Sequence, residues 1–420
     1  MLSANDKFIF TQHLALSTKI MIYFDNNATT QIAPEVFEAM KPFLQEFYGN
    51  PSSAHNFGRE TRQIVENSRE KVASLIGANS PNEIIFTSGG TESDNWAILG
   101  TLEANRNKKH IVTTRVEHEA VRKLCEKLEG NYEITWLEVD EQGFLDLDKL
   151  KKSLREDTAI VSVMTANNET GILFPVKEIA EIVKANSNAI FHTDAVNAVG
   201  KIPINLSEMQ IDLLSLSGHK FHAPKGIGAL YVRENVKLPS FFIGGGQESS
   251  RRAGTEAVHQ IAALGKAAEL ANDFLSEPYI SAGAILSEPP ALAGGLYSTV
   301  IKLRDKLEDF ILQNIPNAKL NGTADKNFRL PNTSNISFPN INGEAILARL
   351  NDLEIYVSTG SACNAEMHAA SPVMQAMNIP YSDAMGAIRF SLGRFNTEAE
   401  VDFMLDNLPK IIQELNSISG

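Results

Sequence analysis

Ile84-Ile85-Phe86-Thr87-Ser88-Gly89-Gly90-Thr91-Glu92 is the stretch that decides the fold of this 420-residue chain. A short apolar run stops at a Ser-Gly-Gly turn, and residues 91–104 then take up helical periodicity. The unit recurs downstream. Strands are expected over 110–114, 132–139, 159–164, 189–194, 213–217 and 228–233, and helices over 117–129, 146–156 and 176–186. This alternation predicts α/β layers around a mostly parallel sheet. In such sheets ligands bind at the carboxyl ends of the strands, where this chain places its polar and Gly-rich residues.

Beyond residue 233 the pattern changes. Gly244-Gly245-Gly246 reads as a loop, and residues 256–275 as a long helix. Residues 276–296 are rich in Pro, Gly and Ala, and Leu275-Ser276-Glu277-Pro278 is echoed by Leu286-Ser287-Glu288-Pro289. One echo is not a period, so the stretch is read as a connecting insertion. A helix over 299–315 and a second α/β unit over 320–420 follow.

Composition narrows the function. With 38 Lys and Arg against 51 Asp and Glu the net charge is −13, which argues against nucleic acid as a main ligand. Two cysteines, Cys125 and Cys363, leave no disulfide framework and suit a reducing, cytoplasmic compartment. No membrane span is expected, because the longest weakly polar stretch, 279–301, carries Glu288, Pro289 and Pro290. Residues 1–19 have charges early, no apolar h-region and no Arg, so neither a secretory signal nor a mitochondrial transit peptide is expected. The nine His and two Cys show no metal-ligand spacing.

Five features could carry chemistry. Lys220, in Ser217-Gly218-His219-Lys220, follows a strand end and could form a Schiff base; alone, such a lysine is ordinarily solvated. Ser88-Gly89-Gly90-Thr91-Glu92 could offer backbone N–H groups to an anion, or be a plain strand-to-helix turn with a Thr cap. Asp194 closes a strand and could pair with a protonated pyridine nitrogen, or simply cap a turn. Cys363 lies in the small-residue run Ser358-Thr359-Gly360-Ser361-Ala362-Cys363, which suits a thiol that must reach into a site, whereas Cys125 falls in an amphipathic helix and reads as packing. His118 opens a helix after a strand and could act as acid, base or ring-stacking partner, or as a cap.

Together these residues resemble the cysteine desulfurases, pyridoxal phosphate (PLP) enzymes of the class V aminotransferase group. The resemblance runs from about Ile22 to the C-terminus. It rests on residues 23–30, 49–53, 87–95, Glu117-His118, 167–171, 192–195, 217–228, 252–255, 331–333, 360–363 and 388–394. It implies a PLP-dependent transferase of fold type I, α/β, with a large domain built on a mostly parallel seven-stranded sheet between helices and a smaller α/β C-terminal domain. Residues 1–20 would be an N-terminal extension, expected to be disordered, with Met21 a candidate start. Residues 21–34 would join the small domain, 35–275 form the large PLP-binding domain, 276–298 the insertion, and 299–420 the small domain carrying the Cys363 loop.

The resemblance also implies roles. Lys220 would hold PLP as a Schiff base and move the substrate α-proton. Asp194 would pair with the ring nitrogen, His118 would stack on the ring, and Gly90, Thr91, Ser217 and His219 would hold the phosphate. Thr255 would reach the phosphate of a neighbouring subunit, implying a homodimer. Asn168 and Arg389 would bind the substrate carboxylate, Arg through its bidentate fork. Cys363 would attack the sulfur of L-cysteine, giving alanine and a Cys363 persulfide, with His118 the candidate to assist the thiol. The sulfur would pass to an iron–sulfur scaffold protein. No resident metal is implied, although Cys363 would be the residue to contact an iron–sulfur cluster during transfer. Three departures stand out. Asn197 replaces a Gln that bonds the PLP ring hydroxyl, and its reach is about 1.5 Å shorter, predicting weaker ring tuning. Residues 276–296 are longer than usual, and Asn364-Ala365-Glu366-Met367-His368 is more polar. The competing readings are a selenocysteine lyase or other class V enzyme, a non-catalytic partner protein, and a dinucleotide enzyme, for which no G-x-G-x-x-G opens a helix.

Overall fold

The computed structural model describes residues 21–276, 296–359 and 370–419. The extension 1–20, nearly all of the 276–298 insertion, and Cys363 with its polar successors Asn364 to His368 lie outside the described residues. In chain order the strands are β1 (Ile22–Tyr23), β2 (Ile84–Thr87), β3 (His110–Thr114), β4 (Glu133–Leu137), β5 (Thr158–Ser162), β6 (Ile190–Asp194), β7 (Leu213–Ser217), β8 (Gly228–Val232), β9 (Lys319–Leu320), β10 (Thr333–Ser337), β11 (Ile355–Tyr356), β12 (Ser358–Thr359) and β13 (Ala387–Ser391).

The expected mostly parallel sheet has seven strands in the order β2-β8-β7-β6-β5-β3-β4. Strands β7, β6, β5, β3 and β4 run parallel. β8 alone is reversed, antiparallel to both β2 and β7. Alternation sorts the side chains onto two faces. Ile85, Ile111, Ile160, Leu213 and Leu230 pack on one; Ile84, Phe86, Val112, Val161, Leu214 and Tyr231 pack on the other. Each such side chain contributes about 1.5–3 kcal/mol relative to exposure. Both faces are covered, as a parallel sheet requires. None of the described helices is long and apolar enough to cross a membrane.

A second core gathers Ile336, Phe338, Ile388, Phe390 and the apolar face of the helix Glu398–Ser419 around a four-stranded antiparallel sheet, β12-β13-β10-β9. Ile22 and Phe24 belong to this core, and β1 pairs parallel with β11. The chain then crosses over, because Ala33 and Val36 belong to the large core. Residues 25–32 therefore span the gap between the two cores, over the strand ends.

The helix Asn56–Leu75 is not among the elements the alternation predicts. Its buried face includes Gly58, Thr61, Ser68 and Arg69, so polar residues interrupt the apolar period. Arg69 makes a bidentate ion pair with Glu248, at 2.7 and 2.9 Å, and Glu248 also accepts from the Phe86 N–H. Glu248, Ser249 and Ser250 all have positive φ, at 48°, 56° and 63°, a region that costs a side-chain-bearing residue about 1–2 kcal/mol. The buried pair anchors this run. Glu248→Gln should lower stability by about 3 kcal/mol, the low end for breaking a buried pair because Glu66 still reaches Arg69. The measurement is the urea midpoint, and an unchanged midpoint would show that the pair is not what holds the run.

Candidate active site

The ends of β2, β6 and β7 are drawn together by close backbone approaches. Gly228, at the start of reversed β8, pairs with Thr87 on one side and Ser217 on the other. A Cβ there would come 2.6 Å from the Leu216 carbonyl oxygen and 2.7 Å from Gly89 Cα, so only glycine lets the two strand ends meet. Gly90 touches the third end, since a Cβ on it would lie 2.6 Å from Val196. The helix Gly90–Ala104 starts at Gly89 without a side-chain cap. The Thr-capped turn is thus not what forms, and the first-turn N–H groups are left to other acceptors. Thr91 is exposed at this helix start, and Ser217 is buried opposite.

Lys220 sits in the 3-10 turn Gly218–Lys220 directly after β7. Its amine donates to the carbonyls of Asn27 and, at 3.1 Å, Ala28, both in the crossing segment. Neighbouring His219 bonds Thr29 Oγ1 through Nδ1 at 3.2 Å, and its carbonyl accepts from Thr30. Burial, with Lys220 beside it, pushes His219 down to about 4.

Asp194, 4% exposed, ends β6. One carboxylate oxygen accepts from the Val196 N–H at 2.8 Å, as a turn-capping aspartate would. The other has no hydrogen bond among the described residues. Burial raises its pKa, while His118, the Val196 N–H and Lys220 pull it back. Two more buried carboxyls share its surroundings. Burial pushes Glu117 up to about 8, and burial together with Asp194 holds Asp94 well above the usual carboxylate range. With its pKa near 8, Glu117 is largely protonated near neutral pH.

His118 is the N-cap of the helix Glu119–Leu128, its Nδ1 accepting from the Ala120 N–H at 3.2 Å. A ring nitrogen that accepts is unprotonated, so the proton of the neutral imidazole is on Nε2. Burial keeps the ring neutral by lowering its pKa, against the pull of Asp194. To act as a base at Nε2, the ring would have to shift its proton to Nδ1 and give up the cap, at about 1 kcal/mol.

Arg389, on β13, donates from Nη1 to the Asn168 carbonyl at 2.9 Å and from Nη2 to Asp25 at 2.6 Å. Its Nε is buried without a hydrogen-bond partner among the described residues. Asn197 is 6% exposed, and its Oδ1 accepts from Lys201 at 3.2 Å. Thr255, by contrast, is exposed and makes no hydrogen bond to these residues. Cys125 is fully buried and its thiol is pushed up to about 12 by burial, which fits the packing role.

The structure thus brings Gly90, Ser217, His219, Lys220, Asp194, His118, Asn168 and Arg389 to the joined strand ends. Asn27, Asp25, Lys201, Asp94 and Glu117 were not expected there. The motif around Asn27 and the i,i+4 spacing of Asn197 and Lys201 were signals for two of them.

The class-V aminotransferase family model matches residues 22–284 and 298–404. The cysteine desulfurase of Trichormus azollae is 50% identical over 400 residues, covering 95% of this chain and 94% of that protein. A solved NifS-like protein is 38% identical, with a TM-score of 0.84 over 94% of this chain and 100% of its own. SspA, solved in complex with cysteine, is 31% identical, with a TM-score of 0.75 over 90% and 100%.

Proposed function

The chain belongs to the class-V aminotransferase family, among its cysteine desulfurases, and from that premise we propose that it removes sulfur from L-cysteine using PLP bound at the joined strand ends. The observation that carries this is the buried Asp194 carboxyl, which makes no ion pair among the described residues yet feels the charge of the Lys220 amine.

The residues fit the cofactor. Gly90, Thr91, Ser217 and His219 would hold its phosphate, using uncapped N–H groups at a helix start. Lys220 would form the covalent linkage, and Asp194 would keep the ring nitrogen protonated. When bound, PLP supplies an electron sink for the pair released at the substrate α-carbon. Arg389 and Asn168 would bind the substrate carboxylate, the Nε–H of Arg389 having no partner among the described residues. Lys220 would move the α-proton. His118, stacked on the ring with its proton on Nε2, would offer that N–H to the reacting sulfur rather than accept a proton there.

Cys363 as thiolate would attack the substrate sulfur. An S–S bond forms, the Cβ–S bond breaks, and its electron pair stays on carbon and is protonated, giving alanine and a Cys363 persulfide. The placement of its flanks supports this. Ser358 pairs with Arg389, and Ser371 donates to Glu169 at 2.6 Å, next to Asn168.

The exposure of Thr255, together with an Ile243 that is 97% exposed, supports a homodimer in which Thr255 serves the neighbouring site. A cytoplasmic enzyme supplying an iron–sulfur scaffold protein completes the reading. Purified holoprotein should convert L-cysteine to alanine and sulfide in equal amounts with a thiol reductant present. Turnover of L-selenocysteine alone would instead assign a selenocysteine lyase.

A further inference from the structure

We propose that Lys201 is a positioning residue of this site: it grips the side-chain oxygen of Asn197, so that the Asn197 amide N–H group is what faces the cofactor's ring hydroxyl. This rests on the reading of the site as a PLP site and adds a residue to it.

Lys201 is 8% exposed. Its amine lies 2.7 Å from Asn27 Oδ1 and 3.2 Å from Asn197 Oδ1. No carboxylate pairs with it among the described residues. Lys220 and Arg389, both cations, are the charged groups that face it, and burial followed by these two charges holds the amine well below the usual lysine range. A buried amine placed between two amides, with no acid to neutralise it, is a costly arrangement.

What it achieves is orientation. The amine donates to both amide oxygens, and charged or neutral it has the two N–H groups this takes, so both amides turn their oxygens to it. Asn27 confirms the assignment independently, because its Nδ2 donates to Thr333 Oγ1 at 2.8 Å and to the Asn168 carbonyl at 3.2 Å. For Asn197 the consequence is that Nδ2 points away from Lys201, with no acceptor among the described residues. The i,i+4 spacing within the turn that follows Asp194 makes the grip local, supported by the Ile202 N–H to Ala198 carbonyl bond. The same amine also steadies Asn27, whose backbone carbonyl accepts from Lys220. A short Asn in place of a longer amide thus has its orientation imposed from behind.

A donor on the ring oxygen stabilises its negative charge and so lowers the pH at which the proton shared with the Lys220 linkage is lost. Lys201→Met keeps the length and loses the donors. In the holoprotein without L-cysteine, it should raise the pH midpoint of the visible cofactor band by about 0.5–1 unit. Asn197→Ala, with Lys201 in place, should give a similar rise, and the double variant no more than either alone. An unmoved midpoint in Asn197→Ala, or additive shifts in the double variant, would overturn the proposal. Because Asn197→Ala and the wild type suffice for the first comparison, a Lys201→Met protein that failed to fold would not rescue it. Absence of any visible band in wild-type protein given PLP would instead sink the cofactor reading itself.

Discussion

Holoprotein carrying Lys220→Ala should lose L-cysteine turnover by at least about 10³-fold. The amine is asked for two things, the covalent linkage and the transfer of the α-proton, and general acid–base transfer alone is worth about 10²–10⁴. No neighbour can take over. Lys201 lines a cavity together with Lys220, but its amine is committed to Asn27 and Asn197. Lys220→Arg makes the argument sharper. It keeps a cation that can still donate to the carbonyls of Asn27 and Ala28, but a guanidinium does not give up its proton to form the linkage. It should therefore be as inactive as Lys220→Ala and lack the visible band. Activity within tenfold of wild type in Lys220→Arg would mean that Lys220 serves only as a charge.

Cys363→Ser should lose sulfide release to a similar extent, at least about 10³-fold, while keeping the cofactor band. An unperturbed thiol with a pKa near 8.5 is about 3% ionised at pH 7, and it is the thiolate that attacks. A serine hydroxyl offers no comparable fraction and cannot hold sulfur as a persulfide. The other thiol is no substitute, since Cys125 is fully buried and pushed up to about 12. Cys125→Ala should accordingly leave turnover intact, which separates the two cysteines by experiment.

The sheet was legible because its strands are buried on both faces and therefore read as short apolar runs, each closed by a turn. The helix Asn56–Leu75 was not, because Arg69 and Ser68 face the interior, and the buried carboxylate that pairs with Arg69, Glu248, lies 179 positions away. Lys220, Asp194 and His118 were legible because each stands at a strand end in a short local motif. Lys201, Asn27 and Asp25 were missed for the opposite reason. Their partners are distant in sequence: Asn27 and Lys201 are 174 positions apart, and Asp25 and Arg389 are 364 apart. Asp94 and Glu117 sit among residues that pattern as helix surface, and only the packed fold shows that they share the ground beneath Asp194. Sequence left His118 as acid, base, ring-stacking partner or cap; the cap is formed, Nδ1 accepting from the Ala120 N–H.

The claim on which the rest depends is that Cys363 itself takes the sulfur. It is tested by the mass of the intact holoprotein after a single turnover of L-cysteine in the absence of any thiol acceptor. The expected result is a gain of one sulfur atom, located by peptide mapping to Cys363, formed together with one alanine, and absent from Cys363→Ser. Alanine formed at the wild-type rate by Cys363→Ser, or sulfur found on another residue, would contradict it.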